Sequence, residues 1–120
     1  MKKVLLLVVC LFFLVGCSGN EQKEITVDFL AAKEKIINEN AVLIDVRTRD
    51  EYDKEHIDGA VLLTLDDINE DSVKDVIESK DSVIIVYCQS GNRSKQAVTK
   101  LNDLGYDEVY DLGSIDNWED

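Results

Sequence analysis

From Ile25 onward, apolar and polar positions fall into short alternating blocks. Phe29, Leu30, Ile36 and Ile37 recur at helical spacing within residues 27–38, and Asp28 is suited to cap that helix. Ala41-Val42-Leu43-Ile44-Asp45-Val46 reads as a strand. Thr48 followed by Glu51 three residues later is a capping box, opening a short helix that ends near Ile57-Asp58-Gly59. Residues 60–64 predict a second strand and residues 71–79 a further helix. Ser82-Val83-Ile84-Ile85-Val86-Tyr87 is nearly continuous, apolar and β-branched, which suits the centre of a parallel sheet covered on both faces. Residues 94–104 read as a helix with Gly105 just past its end, and residues 108–112 as a last short strand. Strand and helix taking turns predict an α/β domain, with a mainly parallel central β-sheet flanked by α-helices on both faces. The chain contains no proline, so its turns rest on glycine, asparagine and aspartate.

The first 24 residues follow a different pattern. Lys2 and Lys3 precede an apolar stretch, Val4 to Val15, then Leu14-Val15-Gly16-Cys17 and the polar run 18–24. That order of charge, apolar core and small-residue site describes an export signal. The stretch is shorter than the ~20 residues a helix needs to cross a bilayer; an uncleaved N-terminal anchor is the alternative. Leu14 to Cys17 resembles the lipobox of bacterial lipoproteins. The resemblance implies removal of residues 1–16, a diacylglycerol group on Cys17, a tether over 17–24 and one domain over 25–120. Such a protein is lipid-anchored and extracytoplasmic and does not span the bilayer. Because Ser18 and not aspartate follows the lipidated position, the resemblance places it on the outer membrane where a cell has one.

Composition narrows the choice of partners. The net charge is −12, and loss of Lys2 and Lys3 takes it to −14. An acidic chain of this kind is unsuited to electrostatic binding of nucleic acid or anionic lipid. Of three cysteines, Cys10 lies in the signal and Cys17 is the lipidation site, which leaves Cys88 as the domain's one thiol. A single cysteine in an exported domain is either a reactive thiol or an inert buried one, and its neighbours bear on which.

Cys88 follows the most apolar strand, and Cys88-Gln89-Ser90-Gly91-Asn92-Arg93-Ser94 runs into a helix. Ligands of parallel α/β sheets collect at the carboxyl ends of strands. A tight loop entering a helix turns backbone N–H groups inward as an anion nest, and the helix dipole adds partial positive charge. Gly91 permits the curl, and Arg93 is expected to place a full positive charge at the rim. Each of these favours thiolate over thiol, so Cys88 is the candidate nucleophile, with a depressed pKa. One cysteine and one histidine cannot build a usual metal site. No metal or cofactor is expected.

Asp45-Val46-Arg47, Glu51-Tyr52, His56-Ile57-Asp58-Gly59-Ala60 and the 88–94 loop occur in the order and spacing of the rhodanese homology domain, which the chain resembles across residues 25–118. The resemblance implies a five-stranded parallel sheet. It also implies a sulfurtransferase that takes sulfane sulfur from a donor such as thiosulfate or a persulfide and passes it to a nucleophilic acceptor. By position Cys88 matches the persulfide carrier and Gln89, Ser90, Gly91, Asn92, Arg93 and Ser94 the substrate cradle. Asp45 and Arg47 are expected in support, as an internal ion pair bracing the loop. His56 is expected to be structural, since an ionised thiolate needs no base, and Trp118 to belong to the core.

Two departures stand out. Relatives often carry Gly-Gly before an Ile-x-x-Trp segment, whereas Gly113-Ser114-Ile115-Asp116-Asn117-Trp118 stands here, so Ser114 is expected to alter the pocket mouth. The sequence runs two residues past Trp118, and a shortened last helix is expected against the resemblance. The competing activities are a cysteine phosphatase or arsenate reductase, and a non-catalytic binding or persulfide-storage module. Four residues separate Cys88 from Arg93, where related phosphatase loops have five, and the smaller cradle favours sulfur over a phosphoryl group. The expected partners are a small-molecule or protein sulfur donor and a thiol acceptor, met by a monomer.

Overall fold

A computed structural model describes residues 24–119. The signal segment, Cys17 and all of the tether except Glu24 lie outside the described residues. Helix α1, Phe29–Glu39, begins as its sequence demands: Asp28 is the N-cap, accepting from the Ala31 N–H at 2.9 Å. Strand β1, Val42–Asp45, leads into α2, Arg49–Lys54. Both halves of the Thr48/Glu51 capping box are formed. β2, Val61–Leu62, is followed by α3, Glu70–Val76, then β3, Ile84–Cys88, α4, Asn92–Asp103, and β4, Val109–Ser114.

All strand pairs are parallel, in the order β2-β1-β3-β4. This is four strands and not the five implied by resemblance. Beyond β4, among the described residues, the sheet continues as an isolated parallel bridge at Thr26, with Val27 N–H on the Asp111 carbonyl and Asp111 N–H on that of Ile25. Asp28 caps α1 immediately afterwards, which ends the extended segment on its C-terminal side. The second strand is also shorter than expected, two residues in place of 60–64.

β3 is buried along its whole length and alternates between two cores. Ile84, Val86 and Cys88 pack with Ile44, Val73, Ala97, Val98 and Leu101 under α3 and α4. Ile85 and Tyr87 pack with Leu43, Leu112 and Ala32 on the α1 side. The period of two in a strand thus sends the Cys88 side chain toward α4 and the Tyr87 side chain to the other face. α2 contributes no buried residue; it stands at the carboxyl end of β1 and offers its side chains to the loops there.

Candidate active site

Two boundaries differ from the sequence reading, and both tighten the site. Cys88 is the last residue of β3, not the first after it, and α4 begins at Asn92, two residues earlier than expected. The connection is therefore three residues, Gln89 to Gly91, with Asn92, Arg93 and Ser94 in the first helical turn. Gly91 occupies the N-cap position at φ 99°, a left-handed conformation that glycine adopts without a steric penalty.

The short curl folds backbone donors over the sulfur. The Cys88 Sγ accepts from the Gly91 N–H at 2.9 Å and the Ser94 N–H at 3.3 Å, and the residue is fully buried. Burial pushes the Cys88 thiol up. The Ser94 hydroxyl and the N–H groups of Ser94, Gly91 and Ser90 together outweigh it, so the thiol lies below its ordinary value. The Ser94 hydroxyl also reaches the Gly91 carbonyl at 3.1 Å. It has one proton to give, and an ionised sulfur is the stronger acceptor of the two.

Arg93 does not stand free at the rim. Its Nη1 and Nη2 donate to Glu51 Oε1 and Oε2 at 2.8 and 3.1 Å, a bidentate pair joining α4 to α2. Glu51 performs two tasks, since its Oε1 also accepts the Thr48 N–H at 2.9 Å. The Arg93 guanidinium and then the Thr48 N–H hold the Glu51 carboxyl at about 2. In the sequence Glu51 reads as half of a capping box and as part of the Glu51-Tyr52 motif, with no partner named for its charge. Nothing in its spacing marks it as the partner of a residue 42 positions away.

Asp45 and Arg47 are buried together as an ion pair, Arg47 Nη2 to Asp45 Oδ2 at 2.8 Å. Arg47 Nε donates to both carboxylate oxygens, Nη2 also donates to the Glu55 carbonyl, and Nη1 reaches Gln89 Oε1 at 3.0 Å. Tyr87, which the sequence marks only as the end of the apolar strand 82–87, completes this network. Its hydroxyl donates to Asp45 Oδ2 at 2.7 Å and accepts the Ile57 N–H at 3.1 Å. Burial raises its phenol well above the ordinary value.

His56 stacks on Tyr52 with ring centroids 3.8 Å apart, and its Nδ1 meets the Tyr52 carbonyl at 2.9 Å. Trp118 is half-buried and packs edge-on against Phe29; both His56 and Trp118 line a cavity of about 280 Å³ beside Glu55 and Ile115. A second groove, of about 410 Å³, runs along Ser90, Gly91 and Asn92 to Lys95 and the buried Asp111. Among the described residues no cluster of three or more histidine, cysteine or acidic side chains is placed to hold a metal ion.

The family model for the rhodanese-like domain matches residues 29–120. The chain belongs to the rhodanese-like family. It is 33% identical over 72 residues to the thiosulfate sulfurtransferase PspE of Escherichia coli, covering 60% of this chain and 68% of that protein. It is 33% identical over 94 residues to the thiosulfate sulfurtransferase GlpE of Coxiella burnetii, covering 78% and 85%. The solved structure of an E. coli rhodanese with anions superposes with a TM-score of 0.59 at 32% identity, covering 64% of this chain and 89% of that one. The parallel, helix-covered sheet is the architecture that this likeness extends over.

Proposed function

We propose that this rhodanese-like domain is a sulfurtransferase in which Cys88 carries sulfane sulfur as a persulfide. The observation that carries the reading is the pair of N–H groups, from Gly91 and Ser94, converging on the Cys88 Sγ. Donors fixed around a buried sulfur favour its anion, and the thiolate is the nucleophile. The similarity to two thiosulfate sulfurtransferases, and to a rhodanese solved with anions, supports the same chemistry here.

In the loading step the thiolate attacks the outer sulfur of a donor. With thiosulfate, a bond forms between Cys88 Sγ and that sulfur, the donor S–S bond breaks, and its electron pair leaves with sulfite. In the second step a thiolate or cyanide attacks the outer sulfur of Cys88–S–S⁻. The product is a persulfide or thiocyanate, and the Cys88 thiolate is regenerated. Neither step requires a general base, because both nucleophiles are already anions. The loop amides hold the negative charge on Sγ before loading and receive it on the outer sulfur afterwards, a fixed electrostatic environment that needs no rearrangement.

The reading is tested by incubating the protein with a sulfane donor and looking by mass spectrometry for one added sulfur on Cys88, released by cyanide as thiocyanate. Cys88→Ser is expected to abolish both loading and turnover, since a neutral hydroxyl is a far weaker nucleophile. Cys88-dependent hydrolysis of a phosphate ester without sulfur loading would favour the phosphatase alternative instead. We also propose that Cys17 carries the lipid anchor and holds the domain at the outer face of a membrane, on the strength of the lipobox resemblance.

A further inference from the structure

We propose that the Cys88 site prefers a singly charged sulfane donor, an organic persulfide or thiosulfonate, over the thiosulfate dianion, because Glu51 neutralises the cation that would receive the second charge. The inference rests on the sulfurtransferase reading and adds the class of donor to it. Three features of the cradle's surroundings carry it.

The first is the Arg93–Glu51 pair. Both terminal nitrogens of the guanidinium face the two carboxylate oxygens, in a geometry that places donor against acceptor twice over. The pair is only about one-third exposed on either side, so water screens it incompletely. A donor approaching the cradle meets a neutral ion pair, not a cation. The second is Arg47, the other guanidinium that touches the loop. It is buried and bound to Asp45, the Glu55 carbonyl and the Gln89 side chain. Its charge is offset by Asp45 and its donors are directed inward.

The third is the local charge. Residues 49–58, from α2 to the turn beyond it, hold Asp50, Glu51, Asp53, Glu55 and Asp58 against Arg49 and Lys54. On the opposite side of the loop, Lys95 shares its groove with the buried carboxylate of Asp111. The donors that reach the sulfur itself are backbone amides and the Ser94 hydroxyl, which suits one negative charge there. A second charge on the donor enters a neighbourhood in which, over residues 49–58, carboxylates outnumber cations.

The chemistry balances for this class. The Cys88 thiolate attacks the outer sulfur of R–S–S⁻, the donor S–S bond breaks, and R–S⁻ leaves with the electron pair as Cys88–S–S⁻ forms. With a thiosulfonate, R–SO₂–S⁻, the leaving group is the sulfinate R–SO₂⁻. Two negative charges enter and two emerge in each case. Thiosulfate brings one more, as its leaving group is the sulfite dianion.

The experiment compares loading of Cys88 from thiosulfate and from methanethiosulfonate, which share the reacting sulfur and differ by one charge. Wild type, Glu51→Gln and Thr48→Ala proteins are compared, with added sulfur read by mass spectrometry. Glutamine preserves the capping oxygen at that position and removes the charge. Coulomb energy is linear in the donor's charge, so Glu51→Gln is expected to raise thiosulfate loading more than methanethiosulfonate loading, changing their ratio by roughly tenfold. Thr48→Ala weakens the same cap while leaving Glu51 charged, and is expected to leave the ratio unchanged; a matching shift there would assign the effect to a loosened α2 and overturn the inference. A ratio unaltered by Glu51→Gln, with both donors loading Cys88, would overturn the donor preference and leave the sulfurtransferase reading standing. Failure of both donors to load Cys88 in any of the three proteins would remove that reading, and this inference with it.

Discussion

The Ser114 hydroxyl donates to the Gln89 carbonyl at 2.7 Å, tying the end of β4 to the loop that curls over the Cys88 sulfur. A register shift between β3 and β4 makes the contact possible. Val86 pairs with Asp111 but Tyr87 pairs with Gly113, so Leu112 is the extra residue and Ser114, not Gly113, comes level with Cys88. Bulges characteristically re-aim a side chain next to a functional site. Because a trans peptide is planar, holding the Gln89 carbonyl toward β4 turns the Ser90 N–H the opposite way. That N–H is among the groups that lower the Cys88 thiol.

Ser114→Ala is therefore expected to slow sulfur loading by roughly two- to tenfold, the size of one neutral hydrogen bond of about 0.5–1.5 kcal/mol. The apparent pKa of Cys88, followed by alkylation rate against pH, should rise at the same time. Ser114→Thr keeps the hydroxyl and should restore both. Slower loading with an unmoved pH profile would mean that Ser114 acts on stability alone, through its second bond to the Asp116 N–H.

On the other face of β3, Tyr87→Phe removes the hydroxyl shared by Asp45 and Ile57. Asp45 retains Arg47, but the buried Ile57 N–H loses its acceptor. A loss of about 1–3 kcal/mol in unfolding free energy is expected, the cost of stranding a buried polar group. Urea denaturation at neutral pH measures it. The pH profile of Cys88 should be unaltered, because the phenol lies in the core opposite the sulfur. An unchanged unfolding midpoint would show that the network contributes nothing to the fold.

The parts of this architecture legible in the sequence were those set by local chemistry. Asp28 and the Thr48/Glu51 pair announced their helices through capping, and the unbroken apolar run 82–87 announced a strand covered on both faces. Cys88 and its loop were legible because strand, glycine and helix follow one another directly in the chain. What was not legible depends on residues distant in sequence. The Glu51 carboxylate meets Arg93 only because β1 and β3 are neighbours, which sets α2 and the start of α4 side by side at their carboxyl ends, and Ser114 meets Gln89 only through a bulge. Resemblance pointed to five strands, whereas among the described residues the fifth is a single bridge at Thr26, closed off on its C-terminal side by the cap at Asp28.

The anchor is tested independently of the fold. Cys17→Ala should abolish fatty-acid labelling and leave a precursor that retains residues 1–16. Soluble release of the domain by cleavage within the tether should leave Cys88 chemistry intact. Labelling that persists in Cys17→Ala would remove the lipobox assignment.

The pH dependence of Cys88 isolates the contribution of Ser94. Among the groups that lower the thiol, the Ser94 hydroxyl is foremost and its own N–H follows. A group whose pKa is lower in the folded state stabilises the fold fully above its unfolded value. That stabilisation is lost as pH falls through the folded value. For Cys88 the window therefore lies below the ordinary thiol value of 9.0. For Glu51 it lies between 4.5 and about 2, so the Arg93–Glu51 pair stays intact from pH 5 upward. A change in alkylation or sulfur loading between pH 6 and 9 is therefore not due to loss of the clamp on Arg93. Ser94→Ala removes the hydroxyl and keeps the N–H, so the inflection should move up and loading at neutral pH should fall. At a pH above both inflections the two proteins should load at similar rates, because each then holds a full thiolate. A Ser94→Ala profile that inflects at the wild-type pH would locate the stabilisation in the backbone amides alone.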